Sequence, residues 1–174
     1  MNNISVVLHL YYLESSKLLL DKISKFYTGN DLYISLIKDE KNNTQILEHA
    51  RKYYKNIIYN EEENLGSDQY GFFKIFSKHN ENFKDWILYL HDKNETKMDF
   101  INELVDPFYV HRKEFIESMD KKNIGMITSG SENYFLSIIN EEEITKNSEQ
   151  LKLKHRVYSV RQRHTLSWLR ELQY

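Results

Sequence analysis

A single-domain α/β fold, with a mostly parallel twisted sheet and helices on both faces, is what this sequence predicts, on three observations. Short β-branched or apolar runs alternate along the chain with longer stretches whose apolar residues recur at helical spacing. No internal repeat, low-complexity linker or composition break divides the 174 residues, so residues 1–174 are expected to form one domain with a basic tail from about 152. The run D-W-I-L-Y-L stops abruptly at His91, Asp92, Lys93 and Asn94, as a central strand does where it meets a ligand-binding loop.

Taken in order, Ile4 to Leu10 is short, apolar and β-branched, which predicts a buried first strand. Ser15 and Ser16 offer caps for a helix carrying Leu18, Leu19, Leu20, Ile23 and Phe26, ending at Gly29. Asp31 to Ile37 alternates as a second strand does. Asn43 and Thr44 offer caps for a helix through Ile46, Leu47, Ala50 and Tyr53, and a brief third strand runs from Asn56 to Tyr59. After Glu61 to Glu63, Ser67 or Asp68 caps a helix with Phe72, Phe73, Ile75 and Phe76. Trp86 to Leu90 forms a fourth strand. Helices are expected over Thr96 to Val105 and Val110 to Met119, separated by Pro107, the single proline. Ile124 to Thr128 is a fifth strand, and Tyr134 to Ile144 reads as a further helix.

Composition closes several functional classes. A net charge of -2 lacks the basic footprint of a nucleic-acid binder. With no cysteine there is no disulfide framework, thiolate metal site or thiol nucleophile. No apolar run reaches the ~20 residues a membrane span needs. The start, M-N-N-I-S-V-V-L-H-L, has no basic leader, so a cytoplasmic protein is expected. The phosphate-cradling G-x-x-x-x-G-K, G-x-G-x-x-G and H-E-x-x-H motifs are all missing.

Five constellations carry the remaining chemistry. In N-L-G-S-D, Asn64 and Asp68 suit hydrogen bonds to a sugar or ribose beside Gly66; a strand-to-helix turn capped by Asp68 explains the same residues. At the fourth strand's end, His91 or Asp92 suits a divalent metal on a diphosphate. Lys93 suits direct neutralisation of the same group. The plain alternative is a polar loop. His9 lies near the ligand edge of the first strand, as a ligand contact or as a satisfied core histidine. The tail bears Lys152, Lys154, His155, Arg156, Arg161, Arg163, His164 and Arg170, fit to close over an anion or to coat a solvated helix. Glu103, Asp106 and Glu114 are general-base choices that spacing cannot rank, and solvated helix faces account for them equally.

These blocks carry a resemblance. V-V-L-H-L-Y-Y at Val6 to Tyr12, N-L-G-S-D at Asn64 to Asp68 and I-L-Y-L-H-D-K at Ile87 to Lys93 resemble, in that order, blocks of the rhamnan synthesis F family. Its members carry a first strand ending in H-x-Y-Y, an N-x-G-x-D turn and a strand ending in H-T-K. N-I-G-M-I-T at Asn123 to Thr128 matches a further habit of the family, and roughly the first three quarters of the chain is covered. That family is similar to GT-A glycosyltransferases, in which a D-x-D motif after a central strand holds Mn or Mg on the donor diphosphate.

The resemblance implies a minimal GT-A-like enzyme that moves a sugar from a nucleotide-sugar, a UDP-sugar by expectation, to a glycan or polysaccharide acceptor. His9, Tyr11, Asn64, Gly66 and Asp68 would lie at the nucleotide and donor sugar. Lys154, Arg156, Arg161 and Arg163 of the tail match no block of the family, and are expected to join them on their charge and on the habit of such enzymes to close a C-terminal loop over the donor. Asp92 and Lys93 would be the reacting-centre residues. Where D-x-D is expected the chain reads His91-Asp92-Lys93. Either His91 with His155 or His164 completes a Mn or Mg site, or Lys93 and the tail arginines act without metal. Two alternatives come from other classes. One is a catalytically inactive nucleotide-sugar-binding module serving a partner enzyme. The other is a phosphate-ester enzyme using Asp68 or Asp92 as nucleophile.

Overall fold

The computed structural model describes residues 4–29, 31–38, 40–64, 68–94, 96, 98–121, 124–129, 136–140 and 158–161. For 68, 69 and the last three segments it describes the backbone. Apolar β-branched runs become the parallel strands Ile4–Leu10 (β1), Asp31–Ile37 (β2), Asn56–Glu62 (β3) and Trp86–His91 (β4). Between them lie the helices Leu13–Ser24 (α1), Asn43–Ala50 (α2) and Asp68–His79 (α3). Met98–Val110 (α4) and Arg112–Asp120 (α5) follow, then Ile124–Ser129 (β5), Leu136–Asn140 (β6) and Tyr158–Arg161 (β7). Among the described residues the strands form one sheet in the order β3-β2-β1-β4-β7-β5-β6, with β7 antiparallel to both β4 and β5. The α/β class and the helix-covered sheet are as the sequence predicts.

Strand alternation sorts the core into two layers. Val6, Leu8, Leu32, Ile34, Trp86 and Leu88 face α1, α2, α4 and α5. Val7, Tyr33, Ile87 and Tyr89 face the other way, onto Phe72, Ile75 and Phe76 of α3. Lys22 Nζ to Asp106 Oδ1, at 2.5 Å, ties α1 to α4. Asp21 Oδ1, accepting from Tyr53 at 2.7 Å and paired with His49 at 2.6 Å, ties α1 to α2. No helix among the described residues is long and apolar enough to cross a membrane.

Several elements depart from expectation, β7 among them, a strand within the stretch read as a basic tail. β3 runs to Glu62 rather than stopping at Tyr59, because this edge strand leaves Glu61 exposed and pairs Glu62 with Lys78 of α3. Pro107 sits inside α4 instead of dividing two helices. A proline there costs about 3 kcal/mol; burial of Leu104, Val105 and Phe108 on both sides of it holds the helix together. Residues 136–140, read as helix, form β6 and pair antiparallel with β5, Thr128 opposite Ser137. A short apolar run fits either period, and the hairpin partner decides. Finally, Ser15 and Ser16 lie within the first turn of α1 rather than capping it.

Candidate functional site at the carboxyl rim of β1 and β4

Strand order reverses between β1 and β4: the chain steps outward through α1 and α2 to β3, then returns through α3 to the far side of β1. In open α/β sheets this switch point, outside the strands' carboxyl ends, is where ligands bind. The rim there consists of Tyr11 and Tyr12 after β1 and His91, Asp92 and Lys93 at the end of β4. The two half-buried tyrosine rings meet edge to face, with centroids 4.7 Å apart. Asn64 stands exposed beyond β3.

Beneath the rim a polar row crosses the sheet on its α3 face. Asn60, Ser35, His9 and His91 occupy one register line over β3, β2, β1 and β4. His9 Nδ1 lies 3.2 Å from Ser35 Oγ, and both residues are buried. Gly71 of α3 presses on this pair: a Cβ there would clash with the Ser35 hydroxyl and stand 2.5 Å from His9 Nδ1. The Asn60 amide nitrogen is buried without a hydrogen-bond partner among the described residues.

His91 is 1 % exposed, its ring between Tyr89 and Phe100. Its Nδ1 lies 2.9 Å from the Asp92 carbonyl oxygen, which can only accept. Nδ1 therefore carries the proton, and in the neutral ring the lone pair is on Nε2. Asp92 turns the other way. Its Oδ2 accepts from Tyr11 N–H at 2.9 Å, Tyr12 N–H at 2.7 Å and the Ser16 hydroxyl at 2.7 Å. Burial pushes this carboxyl up to about 6, against the pull of those hydrogen bonds. Lys93 is half-buried, its ammonium 5.8 Å from the Phe100 ring centroid.

The sequence-expected residues thus divide. His9, Tyr11, His91, Asp92 and Lys93 are brought together at one rim. Arg161 is not with them: it pairs with Trp86, at the opposite end of β4, five residues and so roughly 16 Å of strand away from His91. Asp106 is likewise remote, paired with Lys22 in the last turn of α1. Glu114 lies beside His111 on α5. Asp68 opens α3. Gly66, Lys154, His155, Arg156, Arg163 and His164 lie outside the described residues.

For a divalent ion, Asp92 Oδ2 is already taken by three hydrogen bonds. Among the described residues no group of three metal-ligating side chains converges. Those residues do not fit Mn or Mg, and no step is routed through either.

Sequence reasoning read Ser16 only as a helix cap and passed over Ser35, Asn60 and Gly71. The signal for the last was present, because a glycine inside a helix costs about 1 kcal/mol against alanine and so marks a close approach. Ser35 interrupts the apolar phase of D-L-Y-I-S-L-I at the same sheet face.

The chain resembles known proteins at two levels. A family model described as rhamnan synthesis protein F matches residues 1–165. Among solved structures, a cytidylyltransferase from Leptospira borgpetersenii serovar Hardjo-bovis (strain JB197) superposes with a TM-score of 0.48 at 11% identity. The match covers 88% of this chain and 66% of that one. No curated protein matches.

Proposed function

This chain belongs to the rhamnan synthesis protein F family, and from that premise we propose that it is a nucleotide-sugar-dependent glycosyltransferase acting in polysaccharide assembly. The observation that carries the proposal is the position of Lys93, half-buried at the switch-point rim and next in the chain to Asp92, which holds the N–H groups of Tyr11 and Tyr12. An acceptor hydroxyl attacks the anomeric carbon, the bond to the diphosphate breaks, and negative charge gathers on the departing nucleotide. Lys93 supplies the compensating charge at a fixed place, as transition-state stabilisation requires. The tyrosine rings offer flat faces for a base or sugar. Asn64, Gly66 and Asp68 serve the donor sugar, and the tail cations Lys154, Arg156 and Arg163 help to neutralise the diphosphate.

A thermal-shift screen against UDP-, GDP- and dTDP-sugars, with and without Mn, tests this, because a ligand that binds only the folded chain raises its Tm. A donor that stabilises the chain and releases its sugar onto a glycan supports the proposal. No stabilisation by any of the three would remove it. Stabilisation without hydrolysis or transfer would favour a silent binding module that serves a partner enzyme. That second reading draws on one observation: the Asp92 Oδ2 at the rim is committed to backbone and Ser16 donors.

A further inference from the structure

The first turn of α1 begins at the switch point, and its N-cap residue, Tyr12, provides no side-chain cap. A helix start in this position, with backbone N–H groups aimed at the rim, is a ready seat for phosphate. Here the seat is filled from within. Asp92 Oδ2 accepts the N–H of Tyr11 and of Tyr12 and the hydroxyl of Ser16, at 2.9, 2.7 and 2.7 Å, and the residue is 5 % exposed. Its own N–H donates to the His9 carbonyl at 3.2 Å, continuing the β1–β4 pairing one residue past the strand.

We propose that Asp92 is a positioning residue: it serves as the resident anion of α1, clamps the Tyr11–Tyr12 turn against β4, and keeps a donor's diphosphate off that turn and outward at Lys93. The diphosphate half of this statement rests on the proposed glycosyl transfer; the clamp does not. A carboxylate covalently tied to β4 fills the place an incoming phosphate would need, and three of its donors are already spent. Direct contact between Asp92 Oδ2 and substrate would require breaking those bonds.

Chemical rescue tests the clamp. Asp92→Gly removes the carboxylate and leaves room for a small one. Its Tm is expected to fall by roughly 5 °C or more, and added formate is expected to restore at least about half of that fall, as ligand binding to the folded state does. Chloride at equal ionic strength should restore none, and the native chain should not respond. A variant that loses stability yet ignores formate overturns the clamp, as does one that loses none. Should Asp92→Gly not fold, Asp92→Asn serves. It is expected to raise the donor KM by ~10-fold with kcat nearly unchanged, as a displaced binding turn would, and an equal loss in kcat counts against positioning.

Backbone amide spectra of the native chain test the exclusion, with UDP, GDP and dTDP as probes. The Tyr11 and Tyr12 amides should keep their positions, within the shift that the matching nucleoside alone causes. A large displacement specific to the diphosphate overturns the proposal. If none of the three nucleotides binds, the glycosyltransferase reading fails and the diphosphate half of the proposal falls with it, while formate rescue still decides the clamp.

Discussion

Gly71 in α3 and Ser35 in β2 stand so close that any side chain at 71 would enter the serine hydroxyl. The helix rests on the sheet at this point, directly over the His9–Ser35 pair. Gly71→Ala is therefore expected to destabilise the chain by roughly 1–3 kcal/mol through overpacking. On an exposed helix the same change would stabilise by about 1 kcal/mol. Adding Ser35→Gly should recover part of the loss and not all of it, since His9 Nδ1 still lies 2.5 Å from the new Cβ. Urea unfolding of the three variants reads both outcomes; a stabilised Gly71→Ala would mean the helix does not sit this low.

Asp92 gives the chain a pH dependence of unusual sign for a carboxylate. Its ordinary value of 3.8 is pushed up to about 6, chiefly by burial. Between those values the folded chain holds a proton that the unfolded chain has released, so stability falls as pH rises through the window. The shift corresponds to something on the order of 3 kcal/mol. Against Asp92→Asn, the native chain should lose about 2 kcal/mol of relative stability from pH 4 to pH 7. A gap between the two proteins that stays flat over this range would show that the carboxyl titrates normally.

Lys93→Ala should fold like the native chain and lose at least ~10²-fold in turnover, the scale of a preorganised charge at a leaving group. Lys93→Arg keeps the charge and should retain part of the activity. Steady-state kinetics with the donor found by thermal shift measure both. Unchanged turnover in Lys93→Ala would move charge compensation elsewhere.

Trp86 supplies a control at the opposite end of β4. Its Nε1–H donates to the Met119 carbonyl at 3.1 Å, binding the last residues of α5 to the sheet, and its ring is fully buried. Trp86→Phe leaves that carbonyl without the donor and should cost roughly 1–3 kcal/mol. The denaturation midpoint should fall with m unchanged, while turnover per folded molecule holds. Lost turnover in the surviving folded protein would tie this end of the strand to catalysis.

The parallel half of the fold was readable because each of its strands is specified locally. Ile4–Leu10 is apolar but for Ser5 and His9, and Asp31–Ile37 is apolar after its first residue but for Ser35, so their bounds follow from composition. Residues 136–140 were not readable, because Leu-Ser-Ile-Ile-Asn fits helix or strand until β5 is placed beside it. At the site, the H-D-K cluster announced the rim, since it stands where an apolar strand ends, the edge at which open α/β sheets bind ligands. Its internal division did not announce itself. Whether Asp92 points to solvent or under α1 depends on Tyr11, Tyr12 and Ser16, some 76 to 81 positions earlier. Spacing within a motif carries no record of such a contact. The same limit hid the row from Asn60 to His91, whose members are neighbours only through strand register.

β7 lies between β4 and β5 yet follows both in the chain. During synthesis the four parallel strands and the β5–β6 hairpin therefore emerge as separate pieces, each with an open flank facing the gap. At ~5–20 residues per second, about 1–4 s pass between the end of β6 and the arrival of Arg161. For that interval β4 exposes a bare, apolar edge beside Leu88 and Tyr89, a place where another nascent chain could pair in error. The ribosome's pace over this short stretch thus sets how long the sheet stays vulnerable to misassembly.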